Sequence, residues 1–299
     1  MKNRTGLGIA CALGAAAIYG IVPNFTHSAF VNGVPPVETT FFHTALIAVV
    51  FAILAVLRGE RLTVPRAAMG SFIGQAASTL VISVGYLASV QFIPVGLAVI
   101  IFFTFPVIIM LAAPLIEGHS PGLLRTMIAV FAFAGLVTAI GTDFGNLDFR
   151  GIALAAAAAL FCSVQFFSGR SISRYMTPTV FGALVHVAIW PATLLVALYA
   201  GGGTIAFFPG GTASGTGIAY MTGVGGLYVI AYLIHMLSLR FASASIVAPF
   251  FNLEPLVATA IAVFLGERMA VSRYAGGAMV LAALVASSLA GSPKKAVTP

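Results

Sequence analysis

From Tyr175 to Leu239 the chain runs 65 residues without a single aspartate, glutamate, lysine or arginine, and residues 67–116 form a second such run. A water-soluble domain needs a charged shell, and these stretches have nothing to make one. They do suit a bilayer, where backbone groups must be satisfied inside helices or a closed barrel. Barrel strands would alternate in polarity, whereas these segments are continuous runs of Ala, Leu, Val, Ile and Phe. The composition agrees: 60% hydrophobic residues, 7% charged and a mean hydropathy of +1.09. The expected fold is therefore an all-α polytopic membrane protein, each crossing needing about 20 apolar residues.

Charges and turn signals divide the chain into ten predicted spans, at 6–28, 36–57, 67–88, 92–116, 122–141, 150–169, 179–200, 216–238, 243–265 and 273–291. Gln91 and Pro94 mark the turn inside the first charge-free run, and the glycine-rich segment 201–215 divides the second. With the N-terminus in the cytoplasm, eleven of the fourteen Lys and Arg fall inside and three (Arg150, Arg268 and Arg273) outside. That bias supports an even count with both termini cytoplasmic, and an odd count would scramble it. The net charge of +7 is thereby a topology signal rather than a nucleic-acid footprint. The first span reads as a crossing, not a cleaved secretory leader, because no short apolar region with a small-residue cleavage site follows Lys2 and Arg4. Cys11 and Cys162 sit within spans at unrelated depths and read as packing residues.

Two offsets expose an internal repeat. A shift of 143 residues lays "GIACALGAAAIYGIVPNF" (8–25) on "GIALAAAAALFCSVQFFS" (151–168). A shift of 149 lays "IPVGLAVIIFFTFPVIIMLAAPLIEG" (93–118) on "ASASIVAPFFNLEPLVATAIAVFLGE" (242–267), Pro106 on Pro255, with Glu117 and Glu267 nearly aligned. The expected division is residues 1–146 and 147–299, five spans each. An odd number of crossings per half inserts the second half upside down, as in many transporters.

The stretches 93–111 and 242–269, each with small residues before a mid-helix proline and a Gly-Glu-like end, resemble the drug/metabolite transporter superfamily, EamA type. Within it, length and general character are similar to YddG-type exporters of aromatic and other neutral amino acids. The resemblance implies a cavity lined by spans 1, 3, 4, 6, 8 and 9, and outward transport across a bacterial inner membrane by alternating access.

The chemistry concentrates at "PFFNLEPLVATA" (249–260), where Glu254 is the sole in-span carboxylate near mid-depth. An unpaired carboxylate there costs several kcal/mol or more, so it needs water, a partner or a proton. Asn252 lies two residues before it, and Pro249 and Pro255 each remove a backbone donor, favouring a broken helix beside a wet cavity. The alternative is an acid that only hydrogen-bonds a neighbouring helix. In the first half Phe103 and Phe105 occupy the positions of Asn252 and Glu254, so one wall is expected to be polar and its mate aromatic. That pairing suits a solute with an ammonium group and an apolar body.

Further substrate-binding candidates are Tyr19 and Asn24 on span 1, Gln75 and Ser78 on span 3, and Phe102 and Thr104 on span 4. Gln165 on span 6 and Tyr228, Tyr232 and His235 on span 8 complete the set, the last three spaced to share one helix face. Each could equally serve interhelical hydrogen bonding or packing. Pro23, Pro106, Pro249 and Pro255 are hinge or gating candidates. The five histidines His27, His43, His119, His186 and His235 show no close-spaced pair, so no metal site and no cofactor is expected. The absence of a phosphate-binding glycine loop removes ATP as the evident energy source, and no in-span Lys or Arg is expected to neutralise a phosphorylated solute. The expected partners are a neutral or zwitterionic small molecule and the lipid bilayer, without nucleic acid; proton coupling and oligomeric state stay open. A multidrug or lipophilic-cation exporter of the same fold is the near alternative, and a membrane-embedded hydrolase or a structural scaffold the distant ones. No catalytic constellation stands out.

Overall fold

A computed structural model describes residues 2–118, 120–141, 148–265 and 271–289, and among them every regular element is a helix. In chain order these are α1 (Lys2–Val31), α2 (Pro36–Leu57), α3 (Met69–Ser89), α4 (Val95–Phe102), α5 (Phe105–Ile116) and α6 (Leu123–Ile140). There follow α7 (Phe149–Ile172), α8 (Pro178–Ala200), α9 (Gly215–Phe241), α10 (Ala244–Val247), α11 (Leu253–Phe264) and α12 (Val271–Leu289). Among the described residues nine segments are long and apolar enough to cross a membrane, counting α4 with α5 and α10 with α11 as one each; the apolar part of α12, Tyr274–Ser287, is shorter. His119, Glu267, Arg268, Lys294 and Lys295 lie outside the described residues.

The main departure from simple spans is at the fourth and ninth. Both are broken near mid-length. Pro106 leaves the carbonyl of Phe102 without its helical donor, and α4 ends there. The Thr104 hydroxyl then donates to the Ile101 carbonyl at 2.7 Å, recovering one of the acceptors the break frees. In the ninth span Pro249 and Pro255 flank the interruption: α10 lasts one turn, Ala248–Asn252 form a tighter 3₁₀ turn, and α11 restarts at Leu253. Pro23 has no such effect, since α1 continues through it to Val31.

Helix packing pairs off across the chain. The helix α1 packs on α9 and α11, while α7 packs on α3 and α4; α2 lies on α8 and α6 on α12. Small residues let these backbones approach closely, as packing within lipid requires. A Cβ on Gly182 of α8 would stand 2.5 Å from the Phe51 ring of α2. The offsets read in the sequence relate several contacts in the two halves. Gly8 has no room for a Cβ against Ala242, and Gly151 has none against Ile93. Gly74 abuts Ser168, and Gly223 abuts Phe25. Gly20 lies against the carbonyl of Glu254, and the Ser163 hydroxyl donates to the carbonyl of Phe105 at 3.3 Å.

Polar ties hold the helix ends. On the face that carries the amino end, Glu117 at the end of α5 accepts from the Ala244 amide (2.7 Å) and from the Ser245 hydroxyl. Nearby, Arg170 donates to the carbonyls of Leu239 and Arg240, both at 2.8 Å, where a cation suits the C-terminal end of α9. Glu60 accepts from Thr177 and Thr179 at 2.9 and 3.0 Å. On the far face Glu38 is buried and accepts from the Ala206 amide at 2.8 Å, docking the glycine-rich segment onto α2. There too Asp148 caps α7 and takes the Arg150 guanidinium, which holds its carboxyl below the usual carboxylate range.

Candidate functional site

The break between α10 and α11 puts Glu254 in the first turn of α11, half-way along the ninth span. Its side chain is partly exposed, and among the described residues none donates a hydrogen bond to it. Gly20 is what allows this placement, because a Cβ there would come within 2.6 Å of the Glu254 carbonyl. The carboxyl lies within electrostatic reach of Tyr19, Tyr86, Tyr228 and Cys162.

Aromatic rings continue from both sides of the acid. Tyr19 meets Tyr228 at 5.4 Å and His235 at 6.1 Å; His235 meets Phe251 at 4.5 Å and Phe166 at 4.7 Å. From Phe166 the chain of rings passes to Phe105 at 5.3 Å, Phe102 at 5.5 Å and Tyr86 at 5.0 Å. Tyr86 is, like Tyr19, within electrostatic reach of Glu254, so both ends of this circuit of rings feel the same carboxyl. Such ring pairs add about 0.5–1.5 kcal/mol each beyond their burial and prefer tilted or edge-on geometry, which all of these adopt. His43 from α2 stacks flat on Tyr228, with centroids 3.9 Å apart.

Several polar atoms around the circuit have no partner: His43 Nδ1, His235 Nε2 and both amide atoms of Asn252, a residue only 1% exposed. A buried polar group left this way costs about 1–3 kcal/mol, so each calls for a compensating role.

The remaining predicted residues divide. Tyr19, Tyr228, His235, Phe102, Asn252 and Glu254 come together at the breaks. Tyr232, expected on the same stripe, instead turns toward Gln75 Nε2 at 3.4 Å and the edge of His186 at 4.7 Å, in a closed cluster of its own. Its neighbour Ser78 bonds back to Gly74, while Gln165 donates to Thr79 at 3.0 Å. Thr104 is used up at the helix break, and Asn24 ties α1 to α11 by donating to Ala258 at 3.1 Å. Of the prolines, Pro106, Pro249 and Pro255 mark the breaks, whereas Pro23 lines a cavity. Phe105 joins the residues at the breaks from the wall expected to be aromatic, while Tyr86, His43, Phe166 and Phe251 stand beside them without having been expected there. The 149-residue offset carried a signal for two of them, since it lays Tyr86 on His235 and Phe102 on Phe251.

Two cavities open in the half of the bundle away from the amino end. One, of about 550 Å³, lies between α1, α4, α6 and α11; Pro23, Asn24, Leu97 and Thr259 line it, and Pro255 brings it next to Glu254. The other, about 600 Å³, lies between α2, α3 and α8 and carries Thr40, Ser83, Gln91 and Thr193. Among the described residues no cluster of three or more His, Cys, Asp or Glu could hold a metal ion.

The EamA-like transporter family matches residues 6–141, which span α1 to α6 and so include the aromatic break. Residues 6–141 are thus similar to the EamA-like transporter family. The whole fold is also similar to a solved protein crystal structure, with a TM-score of 0.80 at 17% identity, over 95% of this chain and 98% of that one. At that identity the likeness shows the fold alone, and it covers both halves of the chain. No curated protein matches the chain. With its apolar helices, and with a first half similar to the EamA-like transporter family, the chain is an integral membrane protein.

Proposed function

We propose that the protein is a secondary transporter in which two inversely inserted five-helix halves, residues 1–146 and 147–299, rock about a solute held at Glu254. The observation that carries the reading is a largely buried carboxyl set at a helix break, to which none of the described residues donates a hydrogen bond, within electrostatic reach of Tyr19, Tyr86 and Tyr228. An acid retained at that depth solely for packing would be expected to have a donor. The matched contacts of Gly8 with Gly151 and of Gly20 with Ser163 support the inverted halves. The two cavities on the far side, against the tied ends on the amino face, support a state open toward the far face.

The solute class is a small organic molecule with an apolar or aromatic body and an ammonium group: aromatic and neutral amino acids or related metabolites. The positive charges bordering the spans support cytoplasmic termini in a bacterial inner membrane, and the resemblance to amino-acid exporters supports outward movement. No step of bond making or breaking belongs to this reading, and proton coupling remains compatible with Glu254. Counterflow in proteoliposomes with labelled phenylalanine, threonine, a lipophilic cation and a sugar nucleotide tests it. Saturable exchange of an ammonium-bearing solute is expected; exchange of none, together with hydrolysis of a lipid or peptide, would replace the transporter with an enzyme. For orientation, single cysteines at Tyr175 and Phe208, both about half exposed at opposite faces, should label from inside and outside respectively.

A further inference from the structure

The cavity between α2, α3 and α8 lies apart from Glu254, whose neighbour Pro255 lines the other one. The two sequence offsets explain why it is there. The 149-residue shift lays α3 on α9, and the 143-residue shift lays α2 on α8, with His43 on His186. Five residues on and just after α3 line the cavity, and four of them are smaller than their mates. Ser83 stands for Tyr232, Val84 for Leu233, Ala88 for Leu237 and Gln91 for Arg240, while Leu87 and Met236 match in size. The lining from α2 and α8 shows no such trend.

In the second half the protein fills the equivalent space itself. Tyr232 is buried, its ring 6.1 Å from that of Phe51 and edge-on to His186 at 4.7 Å, and its hydroxyl accepts from the Gln75 amide at 3.4 Å. Met236, one turn on, is fully buried. Ser83 omits that phenol ring, and a large side chain replaced by a small one leaves a void where neighbours do not collapse. The cavity is thus written into the sequence, as the place of a ring that one half has and the other lacks.

Its lining sets the chemistry of what fits. No lining residue carries a formal charge, and Glu38, beside Val37, is turned to the Ala206 amide. Thr40 and Thr193 donate to the Pro36 and Trp190 carbonyls of their own helices, at 3.1 and 2.9 Å. The Ser83 hydroxyl and the Gln91 amide hydrogen-bond to no described residue, one well inside the span and the other at its far end. A charged ligand would lose hydration here with nothing to pair it, and an acyl chain would leave both polar groups without a partner. We propose that this cavity binds uncharged aromatic alcohols, whose ring takes the place that Tyr232 fills in the other half and whose hydroxyl meets Ser83. The site goes beyond the solute reading and stands without it. Its volume of about 600 Å³ falls within the roughly 300–1,000 Å³ of small-molecule sites.

The test is equilibrium dialysis of the full-length protein in nanodiscs against labelled 2-phenylethanol, with empty nanodiscs as the baseline. Saturable binding is expected. Phenethylamine and phenylacetate carry the same ring with a charge, and should displace the alcohol only at about tenfold or higher concentration. Ser83→Tyr copies the mate and should weaken binding by about tenfold or more, because the added ring occupies the site. Ala88→Leu, a smaller filling copied from Leu237, should weaken it less and carries the test if thermal unfolding shows Ser83→Tyr to be misfolded. Ser83→Ala keeps the space and removes the hydroxyl, so binding should fall several-fold without loss of saturation. Full binding by the filled variants, equal displacement by the charged analogues, or no saturable binding would overturn the inference.

Discussion

The two mid-membrane breaks occupy equivalent stations, yet one is built from Phe103 and Phe105 and the other from Asn252 and Glu254. At the aromatic break the interruption is partly compensated from within: Thr104 returns a hydrogen bond to Ile101, Ser163 donates to the Phe105 carbonyl, and Phe105 is 2% exposed. At the polar break Gly20 replaces Ser163, so the Glu254 carbonyl meets bare backbone, and both Asn252 amide atoms and the Glu254 carboxyl lack hydrogen-bond partners among the described residues. The same backbone device is thus satisfied internally in one half and left unsatisfied in the other. Internal satisfaction makes a stable wall, and on the proposed reading the unsatisfied copy is the site for something that arrives from outside.

The strongest way to break the comparison is to make the two copies alike. Glu254→Phe should leave a folded protein, because its counterpart already carries phenylalanine, while solute counterflow falls by about 30-fold or more, the usual cost of removing one partner of a desolvated charge pair. Retained counterflow would show that the difference between the breaks is decorative. Next come the paired contacts. Gly20→Ala forces a Cβ to within 2.6 Å of the Glu254 carbonyl and should destabilise by about 1–3 kcal/mol, as overpacking does, with weakened solute affinity; thermal unfolding in detergent with and without solute reads both. Ser163→Ala removes a single hydrogen bond and should cost about 1 kcal/mol with affinity unchanged.

A smaller effect sharpens the claim that the aromatic break is self-satisfied. Thr104→Val keeps the shape and deletes the hydroxyl, and about 0.5–1.5 kcal/mol of stability should go with it, without loss of transport. The smallest concerns Asp148, beside the start of α4, where Arg150 lies 4.5 Å over the Phe92 ring. Its carboxyl is held below its unfolded value by Arg150, so its contribution is present above that value and fades as acid brings the pH through the folded one. Asp148→Asn should therefore lower the melting temperature slightly at neutral pH and not at strongly acid pH.

Much of this was legible in the residues. Charge-free runs gave the helices, and two offsets anticipated which glycines would press on which partners, because close approach within lipid depends on small residues at fixed stations. Pro249 and Pro255 signalled the polar break, but the matching break at Phe103 and Thr104 was taken as one continuous span, since Pro106 alone does not say whether a helix bends or stops. At the site, spacing placed Tyr228, Tyr232 and His235 on one face, yet a helix face is wide enough to look at two neighbours. Tyr228 and His235 turn to Tyr19, and Tyr232 turns to Gln75 and His186. Tyr86 and Phe166 escaped notice because a lone aromatic in an apolar span reads as packing until a carboxyl is brought to its side.

The most direct test is chemical. A hydrophobic carbodiimide reacts with carboxyls that are reachable from an apolar phase, and peptide mapping by mass spectrometry would locate the adduct. The account predicts one dominant modification at Glu254, slowed by the transported solute, with Glu38, Glu60 and Glu117 spared because each already accepts hydrogen bonds. Modification elsewhere with Glu254 untouched, or labelling of Glu254 that no solute slows, would contradict it.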